Sequence, residues 1–310
     1  MHIIRTGLTR ARLEFKGRET FAPVVRLLGN EEKMNEQIDI IEALGVTPIF
    51  NAVQEAGRRV SFLKDYLAAT GLQTYVLGIS GGVDSLTAAM MAQRAVQELR
   101  SASYKAEFVA VRLPYGEQAD ERDAQAALEA IQPDRVITVN IKAAADAMLA
   151  QVKVGGFVPF DRAQEDFLLG NIKARQRMIA QYTLAGGMRG LVIGTDHAAE
   201  ALMGFFTKFG DGAADILPLA GLNKRRVRAI AEHFGAPKNL VFKVPTADLE
   251  SDAPLRPDED AYGVTYDQID DFLEGKHIEE TARARILRAY RATAHKRALP
   301  VAANAPAPSF

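Results

Sequence analysis

The stretch LGISGGVDS, residues 77–85, joins an apolar run ending at Ile79 to a run of small residues beginning at Leu86. It holds two adjacent glycines, two serines and an aspartate, and no lysine. Upstream, TYVLGIS (74–80) reads as a buried strand, and downstream SLTAAMMAQRAVQELR (85–100) reads as a helix. A glycine-rich turn between a strand and a helix places backbone amides and the positive end of the helix at one spot, a cradle for an anion. The lysine of the G-x-x-x-x-G-K-[ST] loop is absent, and the pattern is not G-x-G-x-x-G either. Serines at 80 and 85 to bond phosphate oxygens, with a carboxylate at 84 to hold Mg²⁺, suit a whole pyrophosphate bound as a leaving group.

The same alternation continues on both sides. AEFVAVRLP (106–114), RVITVNI (135–141) and GLVIGT (190–195) read as strands, the last as a fourth central one. EQADERDAQAALEAI (117–131), KAAADAMLAQV (142–152) and NIKARQRMIAQYTLAGG (171–187) read as helices. Before them Ile49, Val53, Ala56, Val60, Leu63 and Leu67 recur at helical spacing from Thr47 to Ala69, with Gly71 as the stop. The expected fold is α/β, a doubly wound, mostly parallel sheet flanked by helices in a single domain. Ligands of such sheets bind beyond the carboxyl ends of the strands, where residues 80–85 fall.

Composition bounds the chemistry. The chain has 310 residues, 48% of them hydrophobic, 25% charged, and a formal net charge of −1, so charge names no partner. The absence of cysteine excludes a disulfide framework, thiolate metal sites and cysteine nucleophiles. No apolar stretch approaches the roughly 20 residues of a membrane span, and the first residues lack a secretory apolar core. The expectation is a cytoplasmic protein with no membrane partner. Residues 1–33 form a basic extension: residues 1–30 carry six basic groups against Glu14 and Glu19. A targeting or nucleic-acid-binding arm is one reading; the two acids favour an accessory extension, or a start at Met34. The body then spans 34–300, and the Ala/Pro-rich residues 301–310 form a flexible tail.

SGGVDS resembles the pyrophosphate loop of the ATP pyrophosphatases, which adenylate an oxygen and then replace AMP with a nitrogen or sulfur nucleophile. The segments GNIKARQRMIAQY (170–182), LVIGTDHAAEALMGFFTKFGDGAADILPLAGLNKRRVR (191–228), KVPTADLE (243–250), GVTYDQIDDFLEG (263–275) and HKRALP (295–300) resemble the ammonia-dependent NAD synthetases. That resemblance implies an adenine nucleotide alpha hydrolase-like, Rossmann-like fold. It also implies a ligase forming a C–N bond, which amidates the nicotinate of deamido-NAD with ATP and ammonia and releases AMP and pyrophosphate.

By the same resemblance Ser80, Gly81, Gly82, Val83, Asp84, Ser85, Thr195, Lys224 and Thr246 meet ATP, and Asp84 and Glu200 hold Mg²⁺. Arg175, Lys208, Asp215, His295 and Lys296 meet deamido-NAD, and Asp84, Lys208 and Lys224 are the candidate catalytic residues. Lys224 offers the cation that the loop lacks. Arg177 is either a second substrate arginine or a helix-surface charge, and Phe205, Phe206 and Phe209 read as packing, with one of them able to supply the apolar slot that a nicotinate ring needs. The acidic, proline-bearing segment from Lys243 to Tyr266 resembles a mobile lid that shields the adenylate. The helices with RAVQEL (94–99) and GNIKARQRMIAQY are where the resemblance implies a homodimer.

Two rivals remain from the sequence. One is a tRNA-modifying pyrophosphate-loop enzyme, supported by TARARILRAYRATAHKRA (281–298), which has six Lys/Arg and no acid. Against it stand the missing cysteine and the lack of an appended RNA domain; no nucleic-acid partner is expected. The other is a nucleotide-binding regulator without turnover, for which two placed metal ligands would be superfluous. Glutamine-dependent relatives carry an amidase domain with a catalytic cysteine, so free ammonia is the expected nitrogen donor here.

Overall fold

Gly71 ends the helix predicted before the first strand. Its φ of 68° is the left-handed conformation that glycine adopts without a Cβ clash, and its amide bonds to Ala68 O. In the computed structural model of the chain, residues 35–117, 121–246, 257–298, 300 and 303 are described. The extension 1–33, most of the tail 301–310 and the central part of the lid segment, 247–256, lie outside them.

Helix α1 (residues 35–43) precedes α2 (Ala52–Thr70), which starts at the Asn51 cap. The sheet follows as β1 (Thr74–Gly78), β2 (Glu107–Arg112), β3 (Arg135–Thr138) and β4 (Gly190–Val192). Their order is β3-β2-β1-β4, and every pairing is parallel. Between them run α3 (Val83–Ser101), α4 (Glu121–Ile131), α5 (Lys142–Val154) and α6 (Arg162–Gly187). The chain closes with α7 (Ala198–Met203), α8 (Lys224–His233), α9 (Lys238–Val241), α10 (Asp258–Tyr262), α11 (Tyr266–Leu273), α12 (Glu280–Ala292) and α13 (Ala294–Arg297).

Period-two alternation divides each central strand between two cores. Tyr75 and Leu77, Phe108 and Ala110, and Leu191 face a layer built from α2, α3 and α8. Val76, Val109, Val111 and Val192 face the other side, where Ala185 of α6 packs. Strands buried on both faces read as continuous apolar runs, which is why TYVLG and FVAV were legible. A third cluster unites Ile40 of α1, Leu202 of α7, Phe272 of α11 and Ile286 of α12. It fastens the C-terminal helices beside the carboxyl ends of the strands.

Three expectations are adjusted. The helix expected from Thr47 begins at Ala52, and Ile49 and Val53 are exposed. The helix expected from Asn171 begins at Arg162, capped by Asp161, which accepts from Gln164 N at 2.7 Å. The run GLVIGT pairs with β1 over three residues, and Ile193 then bridges in parallel to Ile216.

Candidate active site

Between β1 and α3 the glycine turn organises itself. Gly82 N donates to Ser80 Oγ at 3.2 Å, Ser80 N donates to Ser85 Oγ at 3.3 Å, and Ser85 Oγ donates to Gly82 O at 3.1 Å. No side chain caps α3, so its first-turn amides remain directed at the cleft. Gly81 has φ 88°, and a Cβ there would lie 2.9 Å from Ala124 N in the first turn of α4. Only glycine passes between that turn and the loop.

Across the cleft, β4 leads to Thr195, Asp196 and His197, the last being the cap of α7. His197 Nδ1 lies 3.4 Å from Glu200 N as the cap acceptor of α7, and Nε2 faces the carboxylates. That nitrogen lies 3.4 Å from Asp84 Oδ1 and 3.6 Å from Glu200 Oε1. From α8, Lys224 sends Nζ to within 2.7 Å of Asp84 Oδ2 and 3.3 Å of His197 Nε2. The start of α8 is fixed by Asn223, which caps it, and by Asp270 of α11, which accepts from Lys224 N at 3.0 Å and Arg225 N at 2.7 Å. The Tyr266 ring stands 4.8 Å from Lys224 Nζ, and its hydroxyl donates to Asp258 Oδ2 at 2.9 Å.

The charges in this knot shape one another. Burial alone would raise Asp84, but Lys224 and His197 beside it more than offset that and hold its carboxyl below the usual range. Burial, with the Asp84 charge added, pushes Glu200 well up. Burial and the Lys224 charge lower His197 to about 3, so its imidazole is neutral. Lys224 is held above its ordinary value by Asp84 and Glu200 against the cost of burial. Deeper in the wall, burial and the charge of Asp211 push Asp196 up to about 8. Asp84, His197 and Glu200 each bring one donor atom within 4.8 Å of the others, and among the described residues Asp84 Oδ1 has no hydrogen-bond partner.

Asp84, Glu200, Asp211, Lys224 and Asp258 line one cleft of about 440 Å³, well within the size range of small-molecule sites. Of the residues expected at a site, Ser80, Gly82, Val83, Asp84, Ser85, Thr195, Glu200, Lys224, Thr246 and Lys296 line it. Gly81 faces α4 instead. Arg175, Lys208 and His295 gather outside it: Arg175 Nη2 donates to Lys208 O at 3.2 Å, and Lys208 Nζ donates to His295 O at 2.5 Å. Asp215 sits beside β4, accepting from Val192 N at 2.7 Å and the Tyr182 hydroxyl at 3.3 Å. Arg177 lines the cleft and donates through Nε to Leu113 O at 3.1 Å, while Phe209 is exposed.

Sequence reasoning passed over His197, Asp258, Asp270 and Phe167. The signal for His197 was present as a cap directly before Ala198, but its approach to Asp84 is a tertiary fact. Asp258 lines the cleft with its Oδ1 unpartnered among the described residues, and Phe167 lines it while largely exposed.

A phosphate loop without its own lysine, a lysine brought to it from another helix, and two facing carboxylates at the end of a parallel sheet define a nucleotide-using α/β enzyme of the pyrophosphate-loop class. A family profile described as NAD synthase matches residues 55–300. The chain belongs to the NAD synthase family. It is 61% identical over 261 residues to an NH(3)-dependent NAD(+) synthetase of Burkholderia pseudomallei, an alignment covering 84% of this chain and 92% of the relative. The crystal structure of NAD+ synthetase from Burkholderia pseudomallei superposes with a TM-score of 0.76 at 58% identity, covering 86% of this chain and 98% of that one. NMN synthetase from Francisella tularensis superposes with a TM-score of 0.72 at 35% identity, covering 83% and 100%.

Proposed function

We propose that the cleft amidates deamido-NAD with ammonia at the expense of ATP. A nicotinate carboxylate oxygen attacks the α-phosphorus of ATP, and pyrophosphate leaves. Ammonia then attacks the acyl carbonyl of the adenylate, AMP leaves with the electron pair of the broken C–O bond, and a proton is released. The observation that carries this reading is Lys224 against Asp84 at the mouth of a lysine-less phosphate loop. The loop amides and Ser80 and Ser85 would hold the phosphates, Thr195 and Thr246 the nucleotide, and Lys224 would meet the charge that gathers on the leaving group. His197 caps α7 at the Glu200 amide and so places the Glu200 carboxylate across from Asp84.

Magnesium fits the residues present. Among the described residues Asp84 Oδ1 lacks a hydrogen-bond partner, and Glu200, raised by burial and by the Asp84 charge, brings a second carboxylate oxygen within 4.8 Å of an Asp84 oxygen. Asp84 and Glu200 would hold the ion, carboxylate oxygens being the natural hard-ligand set. When bound, it neutralises phosphate charge.

Arg175, Lys208 and His295 are not among the residues that line the cleft of one chain, and the end of α5, the connection to α6 and its first turns expose apolar side chains. Val154, Phe157, Val158, Phe160 and Phe167 are exposed there. A second copy packed on that face would bring these residues into a shared site for the dinucleotide. RAVQEL is a weaker place for such packing, since Ala95, Val96 and Leu99 are buried in the chain's own core.

The basic segment 281–298 gives little support to a nucleic-acid partner. Arg283 is buried; Arg285 donates to Gly263 O, Lys296 to Gly204 O and Phe206 O, and Arg297 to Ala201 O and Tyr290 O. Among the described residues no helix is long and apolar enough to cross a membrane.

The deciding assay supplies ATP, Mg²⁺ and either deamido-NAD or the mononucleotide acid, with ammonium in one series and glutamine in another. NAD and AMP formed from deamido-NAD with ammonium, and lost in Asp84→Ala, is the expected result. Amidation of the mononucleotide alone would move the chain to the NMN side of the fold. No amidation with either, from folded protein that binds ATP, would overturn the reading.

A further inference from the structure

Lys243 lies on the wall of the cleft, just after α9, and its Nζ is 2.6 Å from Asp123 Oδ2. Asp123 belongs to the first turn of α4, the turn against which Gly81 packs. Its Cβ and carbonyl carbon stand 3.2 and 3.1 Å from where a Gly81 side chain would begin. The ammonium of Lys243 is thus stationed at the Gly81 end of the phosphate loop, whereas Lys224 stands at the Asp84 end.

The two pairs differ in how firmly they are made. Lys224 is 1% exposed and Asp84 19%, and separating such a buried pair leaves an uncompensated charge. Lys224 therefore stays beside Asp84, and the charge it offers a departing pyrophosphate is shared with that carboxylate. Lys243 and Asp123 are 21% and 35% exposed, so water reaches both partners and the pair is held less firmly than the one that buries Lys224. A phosphate oxygen can compete with Asp123 for the ammonium, and Asp123 can stay hydrated when it is replaced.

We propose that Lys243 is the releasable cation of the phosphate loop, contacting the β- and γ-phosphates of ATP and the pyrophosphate they become, with Asp123 as the residue that positions it. This rests on the ATP-pyrophosphatase reading of the cleft and adds a second lysine to it. Before nucleotide enters, Asp123 holds the flexible lysine stem near the loop, reducing the rotamer freedom lost on binding.

The test titrates pyrophosphate, with magnesium present, into the full chain by calorimetry, and separately measures NAD formation against ATP concentration. Lys243→Met is expected to weaken pyrophosphate binding about tenfold, the scale of one charge-assisted hydrogen bond, and to raise KM for ATP alike. Lys243→Arg should restore most of the affinity, and Asp123→Asn should cost less than Lys243→Met. KM for deamido-NAD should not move. Pyrophosphate affinity equal in wild type and Lys243→Met, or no binding by wild type, would overturn the proposal. So would matched losses of melting temperature and kcat in Lys243→Met and Asp123→Asn at constant KM for ATP, the mark of a merely structural pair. Pyrophosphate binding through Lys243 in a protein that forms no NAD would sink the amidation reading alone.

Discussion

Lys224 Nζ and Asp84 Oδ2 stand 2.7 Å apart, one at the start of α8 and the other in the first turn of α3. The pair makes a chain-built substitute for the lysine that nucleotide loops of the G-x-x-x-x-G-K type carry within themselves. Lys224→Met would strand the Asp84 carboxylate beside Glu200. Unfolding in denaturant should then show a loss of about 3–5 kcal/mol, the usual consequence of breaking one side of a buried pair. Combining Lys224→Met with Asp84→Asn should recover much of that stability. NAD formation should stay depressed about a hundredfold or more in both, because loop electrostatics are lost either way. A double variant as unstable as the single one would refute the pairing.

Two buried groups near α8 should make the pH dependence of stability a difference of opposed terms. Burial raises Asp270 in the folded protein to about 6, against an ordinary 3.8. Its folded form binds more protons than the unfolded chain between those values, so its penalty appears as pH rises through that window. His197 is lowered from 6.5 to about 3, so its penalty appears as pH falls through the window between them. At about 1.4 kcal/mol per pKa unit the full penalties are on the order of 3 kcal/mol for Asp270 and about 5 kcal/mol for His197. Between about pH 4 and 6 their opposed slopes largely cancel, leaving the wild-type stability nearly flat there. Asp270→Asn should unmask the histidine and make the protein more acid-sensitive. His197→Asn, which keeps an N-cap, should make it less so. Denaturation midpoints at pH 4, 5, 6 and 7 measure both slopes, and parallel curves for the three proteins would refute the assignment.

The apolar face around α5 and α6 yields a prediction about assembly. Val154 is 79% exposed and Phe160 91%, alongside Phe157, Val158 and Phe167. A patch of this kind on one side of a chain marks an interaction surface. Light scattering should report about twice the 33.8 kDa of one chain, two-fold pairing being the commonest closed assembly. Val154→Lys with Phe160→Asp should give the single-chain mass with an unchanged circular-dichroism spectrum. A wild type that is monomeric throughout would leave Arg175, Lys208 and His295 with no shared site to enter.

The parts of the fold that were legible from residues are those governed by short-range rules. TYVLG and FVAV are apolar on both faces because helices cover both faces of a parallel sheet, and SGGVDS carries its turn chemistry within six residues. The start of α6 was not legible. Its first turns present Phe167 and neighbours to the outside, so the apolar pattern used to find helices points away from the chain's own core. The Asp161 cap was a readable signal but a weak one by itself. Ile49 and Val53 show the converse: they keep the helical spacing and lie beyond the packed part of α2. The cleft was legible where residues act in sequence, as in Ser80 to Ser85. It was not where distant elements meet: His197 against Asp84, Asp270 under Lys224, and Lys243 on Asp123 are set by tertiary approach. The resemblance named residues for the dinucleotide, yet Arg175 and Lys208 stand outside the cleft that Arg177 lines, a distinction of helix rotation that residue identity does not carry.

The adjacent glycines of the loop should respond differently to the same methyl group. At Gly81, φ is 88° and a Cβ would press 2.9 Å from Ala124 N, a backbone atom of a packed helix that cannot turn away. At Gly82, φ is −86° and the nearest atom to a Cβ would be Ser80 Oγ at 3.4 Å, an ordinary contact. Gly81→Ala should therefore cost about 1–3 kcal/mol of stability from left-handed strain and the clash with α4. It should also displace Asp123, and with it Lys243, weakening pyrophosphate binding. Gly82→Ala should melt within a few degrees of wild type, in keeping with a change of about 0.5 kcal/mol. Any loss of ATP affinity in that variant would report the methyl group itself at the wall of the cleft. Equal destabilisation by the two substitutions would mean that the loop does not press on α4, and it would remove the mechanical link between Gly81 and Asp123.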